Sequence, residues 1–316
     1  ASRILARAWG SWAVYAPATE RAQTAPGQLL VSDLADLYRY RGLTETTPLT
    51  GILGFPLSHS LSPLLYNRAY AELAMDRCFI PFETEHVGEF LPLLSELPVA
   101  GLAVTHPHKI AMSAYCDELD PVAAEVGAVN TVVRRWNRLV GYNTDVEGGI
   151  APLRRRIELK GARVGILGIG GAARALARGL TQEGAEVVLY ARHPAGDETL
   201  AGRLGVRIED WSRAPSFRGQ ALINATPVGM DPSPEETPLP WDGLLAAVAY
   251  DLVYRPARTR FLREAAEAGA TIIEGGEMFL EQALRQFEIL NGCAAPRTLF
   301  ESILAGPPPA DAGGKA

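Results

Sequence analysis

Val164-Gly165-Ile166-Leu167-Gly168-Ile169-Gly170-Gly171-Ala172-Ala173 decides how this chain folds. Val164–Leu167 reads as a buried strand, and Ala172–Thr181 behind it as a helix, with Gly184 near its end. Between them, Gly168 permits a tight turn and Gly170 lets the backbone approach a phosphate. The following helix offers its N-terminal amides and the positive end of its dipole. Gly171 precedes that helix and Ala172 opens it, and Ala173 stands where a third glycine is usual. A glycine turn can simply join a strand to a helix. Here the strand before it and the helix after it favour a dinucleotide cradle.

Working outward, Val187–Tyr190, Ala221–Asn224, Val248–Leu252 and Thr271–Ile273 follow at the spacing of β-α-β units. That rhythm predicts an α/β fold with a parallel, doubly wound sheet. Upstream, Gly51–Phe55, Cys78–Phe82 and Leu102–Thr105 are short apolar strands. Ser62-Pro63 begins a helix, and Asp117–Val126 reads as another. Asn130–Arg135 and Leu139–Tyr142 flank a hairpin turn at Trp136-Asn137-Arg138. Glu277–Leu290 is amphipathic, with Phe279, Leu280, Ala283, Leu284, Phe287 and Leu290 on one face. That face is broader than a sheet-edge helix needs, so the helix is expected to return to the first domain.

At 316 residues, 47% hydrophobic and 21% charged, the chain is large enough for two domains. Its net charge of −6 offers no basic face for nucleic acid. The arginine run Arg154–Arg156 reads as the solvated end of a helix. Cys78, Cys116 and Cys293 are far apart and fit reduced thiols in a reducing compartment, so a cytoplasmic location is expected. No apolar run is long enough for a membrane span. Trp9–Tyr15 is too short and too diluted by Gly10 and Ser11 for a signal peptide. The segment from Gly306 to Ala316 has nothing to bury and is expected to be disordered.

Upstream of the cradle in the chain come a lysine and a carboxylate. Lys109 lies in Ala103-Val104-Thr105-His106-Pro107-His108-Lys109, a loop after a strand, and Asp145 ends Gly141-Tyr142-Asn143-Thr144-Asp145. Singly, the first could be a solvated lysine and the second a helix cap. Together with a dinucleotide turn they favour a proton-transfer pair, for a ketone or alcohol handled by a nicotinamide cofactor. At the end of the next strand Tyr190-Ala191-Arg192-His193 has no acid, and Arg192 suits the 2′-phosphate of NADP(H). Thr226 and Met230, after the strand ending at Asn224, sit where ligands bind in such sheets. Met230 is placed to pack on a nicotinamide, although methionine is more often plain core. Ser60 and Ser62 read as helix-capping hydroxyls or as donors to a polyhydroxylated substrate. His106 and His108 lack further ligands nearby, and no metal is expected.

From about Leu49 to Leu304, in six separate segments, these motifs resemble shikimate dehydrogenases. The resemblance implies a substrate site of Ser60, Ser62, Thr105, Lys109, Asn130 and Asp145, completed by Tyr254 and Gln282. It implies an N-terminal substrate domain and a Rossmann-type NADP domain with a cleft between them. The implied reaction is NADPH-dependent reduction of 3-dehydroshikimate to shikimate, and its reverse, in aromatic amino acid biosynthesis. Lys109 would supply the proton, and Asp145 would hold the lysine and a substrate hydroxyl in register. Ala103 and His106 depart from the family's polar and aliphatic residues, and Ala191 and His193 from its Asn and Thr. A quinate-preferring dehydrogenase therefore stays open as an alternative. A ligand-sensing regulator that has lost catalysis also stays open, although retention of both Lys109 and Asp145 argues against it.

Ser2-Arg3, Gly10-Ser11 and Thr24-Ala25-Pro26-Gly27-Gln28 resemble the end of a type I 3-dehydroquinate dehydratase barrel. That family's substrate-contacting arginine and glutamine match Arg3 and Gln28. Its Schiff-base lysine and histidine are not in this chain. The expectation is a fragment of a bifunctional enzyme, with a dehydratase fused upstream, and the lack of an initiating Met agrees with it. An organellar stroma would then be open as a location. The domain plan is 1–47 for the barrel remnant and linker, 48–146 for substrate binding and 147–276 for NADP. Residues 277–305 are returning helices, and 306–316 the tail.

Overall fold

The computed structural model describes residues 2–24, 28–58, 60–194 and 198–306. Residues 307–316 of the expected tail, Ala25–Gly27 of the N-terminal motif and His59 of the serine turn lie outside the described residues. Two six-stranded sheets organise the rest.

The first sheet contains β1 (Leu49–Gly54), β2 (Cys78–Glu83), β3 (Val99–Val104), β4 (Glu118–Leu119), β5 (Thr131–Arg135) and β6 (Arg138–Tyr142), in the order β2-β1-β3-β5-β6-β4. It is mixed. β1 runs parallel to β2 and β3, β5 is antiparallel to β3 and β6, and β4 is parallel to β6. The period-two alternation of strands sorts their side chains into two cores. Leu53, Cys78, Ile80, Phe82, Leu102 and Val104 face one of them, which also takes in Ile4, Leu5, Ala8, Leu34, Tyr38 and Leu43 from the N-terminal segment. Ile52, Phe79 and Ala103 face the other, with Leu65, Tyr66 and Tyr70 of the helix Ser62–Glu72. Ala283, Phe287 and Leu290 of the helix Gly275–Asn291 pack into this second core, joined by Phe300.

The second sheet contains β7 (Arg163–Leu167), β8 (Glu186–Ala191), β9 (Arg207–Asp210), β10 (Arg218–Asn224), β11 (Leu245–Asp251) and β12 (Thr271–Ile273). Its order is β12-β11-β10-β7-β8-β9 and every pairing is parallel. The doubly wound sheet expected from the sequence is therefore present. Val164, Ile166, Val187, Leu189, Ala221 and Ile223 face one core; Leu167, Val188, Tyr190 and Leu222 face the other. Burial on both faces explains why these strands read as continuous apolar runs. Strand order reverses between β7 and β10, and that crevice is where such sheets bind ligands.

The helix Asp145–Arg154 joins the two halves by close approach at glycines. A Cβ on Gly148 would come within 2.5 to 2.9 Å of Gln282, including its backbone, and one on Gly149 within 2.5 Å of Leu176. One local expectation needs correction. Asp117–Val126 is not one helix: Glu118–Leu119 pairs with β6, and the helix begins only at Pro121. Asp120 caps it by accepting from Ala123 N, and Pro121 suits the first helical position. Arg154–Arg156 are exposed at the end of the helix Asp145–Arg154, as expected, and form ion pairs there with Glu147, Glu183, Glu277 and Glu281. No helix among the described residues is long and apolar enough to cross a membrane.

Candidate functional site

The end of β3 leads through Thr105 to Lys109, which is the first residue of the helix Lys109–Ser113 rather than a loop residue. A cation at a helix N-terminus is disfavoured by the helix dipole. Something other than helix stability therefore holds it there, and that partner is Asp145. Lys109 Nζ donates to Asp145 Oδ2 at 2.6 Å; the lysine side chain is 20% exposed and the aspartate 3%. Asp145 does not cap its helix but opens it, and its own N–H donates to Asn143 Oδ1 at 3.0 Å. A carboxylate in a first turn sits at the favourable end of the dipole.

Asn130, fully buried, completes the pair. Its Nδ2 donates to Asp145 Oδ1 and to Thr144 Oγ1, both at 2.8 Å, and lies 3.5 Å from Gln282 Oε1. Its Oδ1 accepts from Thr144 N and Thr131 Oγ1, which fixes the amide's orientation. Gln286, one turn beyond Gln282, donates through Nε2 to Asn130 O (2.8 Å) and Thr131 Oγ1 (2.9 Å) and accepts from Tyr66 OH (2.8 Å). Sequence reasoning missed Gln286. The available signal was a polar residue on the apolar stripe of its helix.

Tyr254 stacks on Phe279, with ring centroids 4.8 Å apart and planes 15° from parallel. Gln282 Nε2 donates to Phe279 O, so tyrosine and glutamine share one support. Burial pushes the Tyr254 hydroxyl above its usual range, opposed first by the Arg255 guanidinium and then by the Leu61 backbone. In the serine turn Ser62 N donates to Ser60 Oγ at 3.3 Å. Thr105 packs beside Gly54, where a Cβ would fall 2.3 Å from its Cγ2. His108 is buried, with Nε2 2.7 Å from Thr84 O, which anchors the residue preceding Lys109. Burial, then His108 and Lys109, lower the His106 pKa below its usual value. Ala103 is buried in the apolar core with Ile52, Tyr66 and Phe79.

Across the cleft, Gly168 has φ +108°, and a Cβ there would meet Thr226 Cγ2 at 3.2 Å across the switch point. A Cβ on Gly170 would meet nothing within 4 Å, so open space lies over the start of the helix Gly171–Gln182. Space, glycine and helix amides together fit a pyrophosphate. A Cβ on Gly171 would lie 3.0 Å from Lys109 Cβ, which puts the proposed proton donor against the cradle, with Ala172 following in the same turn. Thr226 Oγ1 donates to Asn224 Oδ1 (2.7 Å) and is held by its own turn. Met230 is 38% exposed after Gly229, and Arg192 is exposed just past β8. Neither is joined to the buried network. Among the described residues, no group of three or more His, Cys, Asp or Glu could hold a metal.

Comparison with known proteins places the chain in a family. Residues 52–132 match the family model described as the shikimate dehydrogenase substrate binding domain. Residues 163–227 match the one described as NADP oxidoreductase, coenzyme F420-dependent. The chain is 37% identical to the chloroplastic bifunctional 3-dehydroquinate dehydratase/shikimate dehydrogenase of Arabidopsis thaliana, over 96% of its own length and 54% of that protein's, so it spans about half of that relative. It is 38% identical to the NADP(+) shikimate dehydrogenase of Nostoc sp., over 78% of this chain and 92% of that one. The crystal structure of shikimate 5-dehydrogenase from Thermus thermophilus, in complex with NADP(H) and shikimate, superposes with a TM-score of 0.73 at 34% identity, covering 81% of this chain and 98% of that one. The chain belongs to the shikimate dehydrogenase family.

Proposed function

We propose that this chain catalyses the reversible NADPH-dependent reduction of 3-dehydroshikimate to shikimate. The observation that carries the reading is the 2.6 Å contact of Lys109 with Asp145, packed directly against Gly171 of the dinucleotide cradle. NADPH, when bound, supplies the hydride that reduces the substrate ketone. Gly168, Gly170, Gly171 and Ala172 hold its pyrophosphate, Arg192 its 2′-phosphate, and Thr226 and Met230 flank the nicotinamide. Ser60, Ser62, Thr105, Asn130, Tyr254 and Gln282 bind the polyhydroxylated ring. Lys109 Nζ gives its proton to the forming alkoxide oxygen, while Asp145, fixed by Asn130, keeps the lysine in place. Proton transfer from a positioned group typically contributes ~10²–10⁴-fold.

Residues 48–146 form the substrate domain, 147–276 the NADP domain and 277–305 the helices that pack back on the former. Residues 1–47 end a type I dehydroquinate dehydratase barrel that precedes this chain in a bifunctional protein. The wider reach of the Arabidopsis match, 96% of the chain against 78% for Nostoc, supports that reading. The location is a reducing compartment, cytoplasm or organellar stroma, in keeping with three free cysteines. The test is NADPH consumption by the purified chain, with NADH, shikimate, quinate and 3-dehydroquinate as parallel arms. Rapid oxidation with 3-dehydroshikimate, shikimate favoured over quinate in reverse, and no dehydration of 3-dehydroquinate are expected. A folded chain that turns over none of the redox pairs would refute the proposal.

A further inference from the structure

Asp251 ends β11 with none of its surface exposed. Its Oδ1 accepts from Asn224 Nδ2 and from Val253 N, both at 2.9 Å, and its Oδ2 accepts from Thr259 Oγ1 at 2.6 Å. All three donors are neutral. Burying a carboxylate against neutral donors alone is costly for the fold, and an uncharged residue would be the cheaper filling. Burial pushes this carboxyl up to about 6, with the three hydrogen bonds opposing the rise. A costly group kept at the switch point calls for a reason beyond packing.

Each donor belongs to a segment that carries a ligand-facing residue. Asn224, whose Nδ2 is fixed by Asp251, uses Oδ1 to accept from Thr226 N (3.0 Å) and Thr226 Oγ1 (2.7 Å), which shapes the turn beside Gly168. Val253 immediately precedes Tyr254. Thr259 caps the helix Arg260–Glu267 and lies against Gly229, where a Cβ would be 3.6 Å from its side chain, next to Met230. One carboxylate thus holds two segments on the cofactor side and one on the substrate side.

We infer that Asp251 is a positioning residue: through Asn224, Val253 and Thr259 it sets the Thr226–Met230 turn and Tyr254 in one register, so that cofactor and substrate are presented to each other. This rests on the functional reading above, which assigns those two segments to the two ligands. The test is Asp251→Asn, which keeps the side chain's size but turns an amide donor toward at least one of the three donors. NADPH binding is titrated by fluorescence and shikimate binding by calorimetry, beside turnover and Tm. Both dissociation constants should rise at least tenfold and kcat should fall, although Asp251 touches neither ligand. Thr259→Val, which removes one donor, should give a smaller double effect, and Thr259→Ser should restore both affinities. That pair decides the matter if Asp251→Asn fails to fold. Wild-type affinities in the variant, a loss confined to one ligand, or a lowered Tm with both affinities intact would overturn the inference. A wild-type chain that binds NADPH but not shikimate would instead sink the functional reading. The response of NADPH binding to Asp251→Asn would then still decide whether Asp251 sets the cofactor turn.

Discussion

The two edges of the cleft are built differently. The proposed substrate edge draws Lys109, Asn130, Asp145 and Gln282 from four separate segments and ties them by hydrogen bonds in a largely buried layer. The proposed cofactor edge is mostly the backbone of one β-turn-α unit, Gly168 to Ala172, with Thr226 and Met230 beside it and the exposed Arg192 just past the next strand. A network made of many segments fails as a unit when one member is removed. A local cradle with an exposed side chain loses only that side chain's contribution.

The largest effect should follow Lys109→Ala. Removing the proposed proton donor is expected to lower kcat ~10²–10⁴-fold while KM for shikimate stays within a few-fold. Steady-state kinetics would show this, and near-normal turnover would remove Lys109 from the chemistry. With Lys109 and Asp145 acting as the proposed pair, adding Asp145→Asn to Lys109→Ala should cost far less than it does alone. Fully additive losses would mean that the pair is a contact and not a unit.

A smaller effect lies between the edges, at Asp251. Its folded-state pKa is raised from 3.8 to about 6, so the folded chain binds a proton more tightly than the unfolded one. The associated stability is fully present below about pH 4 and is lost as pH rises through 6. Two units correspond to about 3 kcal/mol. Urea unfolding between pH 4 and 7.5 should therefore show wild type losing stability relative to Asp251→Asn as pH rises. Parallel pH profiles for the two proteins would show that burial does not strain the carboxylate.

The same contrast separates what was legible in the sequence from what was not. The cradle could be read because strand, glycines and helix are contiguous, and a parallel sheet buried on both faces leaves unbroken apolar runs such as Val164–Leu167. β9 (Arg207–Asp210) escaped notice: it is an edge strand of four residues, polar at both ends, with little apolar periodicity to betray it. β4 was lost in a helical reading because two residues cannot display a period, and only pairing with β6 makes them a strand. Lys109, Asn130 and Asp145 were found by motif, but their junction depends on tertiary approach that no local pattern encodes. Gln286 is not legible because a lone polar residue in an apolar run acquires meaning only when its partner Thr131, 155 residues away, is brought beside it; for Asp251 the hidden part is its full burial against Asn224 of the neighbouring strand.

The smallest effect, and the sharpest test of the contrast, is Arg192→Ala. Arg192 is exposed at the end of β8, where the family's neighbouring Asn and Thr are replaced by Ala191 and His193. Guanidinium–phosphate hydrogen bonds are among the stronger polar contacts, but water competes for them at an exposed site. A loss of about 1.4 kcal/mol, equivalent to a tenfold rise in KM for NADPH, is expected, with KM for NADH unchanged and kcat nearly so. The preference for NADPH should fall by the same factor and should weaken further at high salt in the wild type. If the ratio of NADPH to NADH efficiency is unmoved, the 2′-phosphate is read by groups spread over several segments. The cofactor edge would then be distributed like the substrate edge, and the difference between them would lie only in burial.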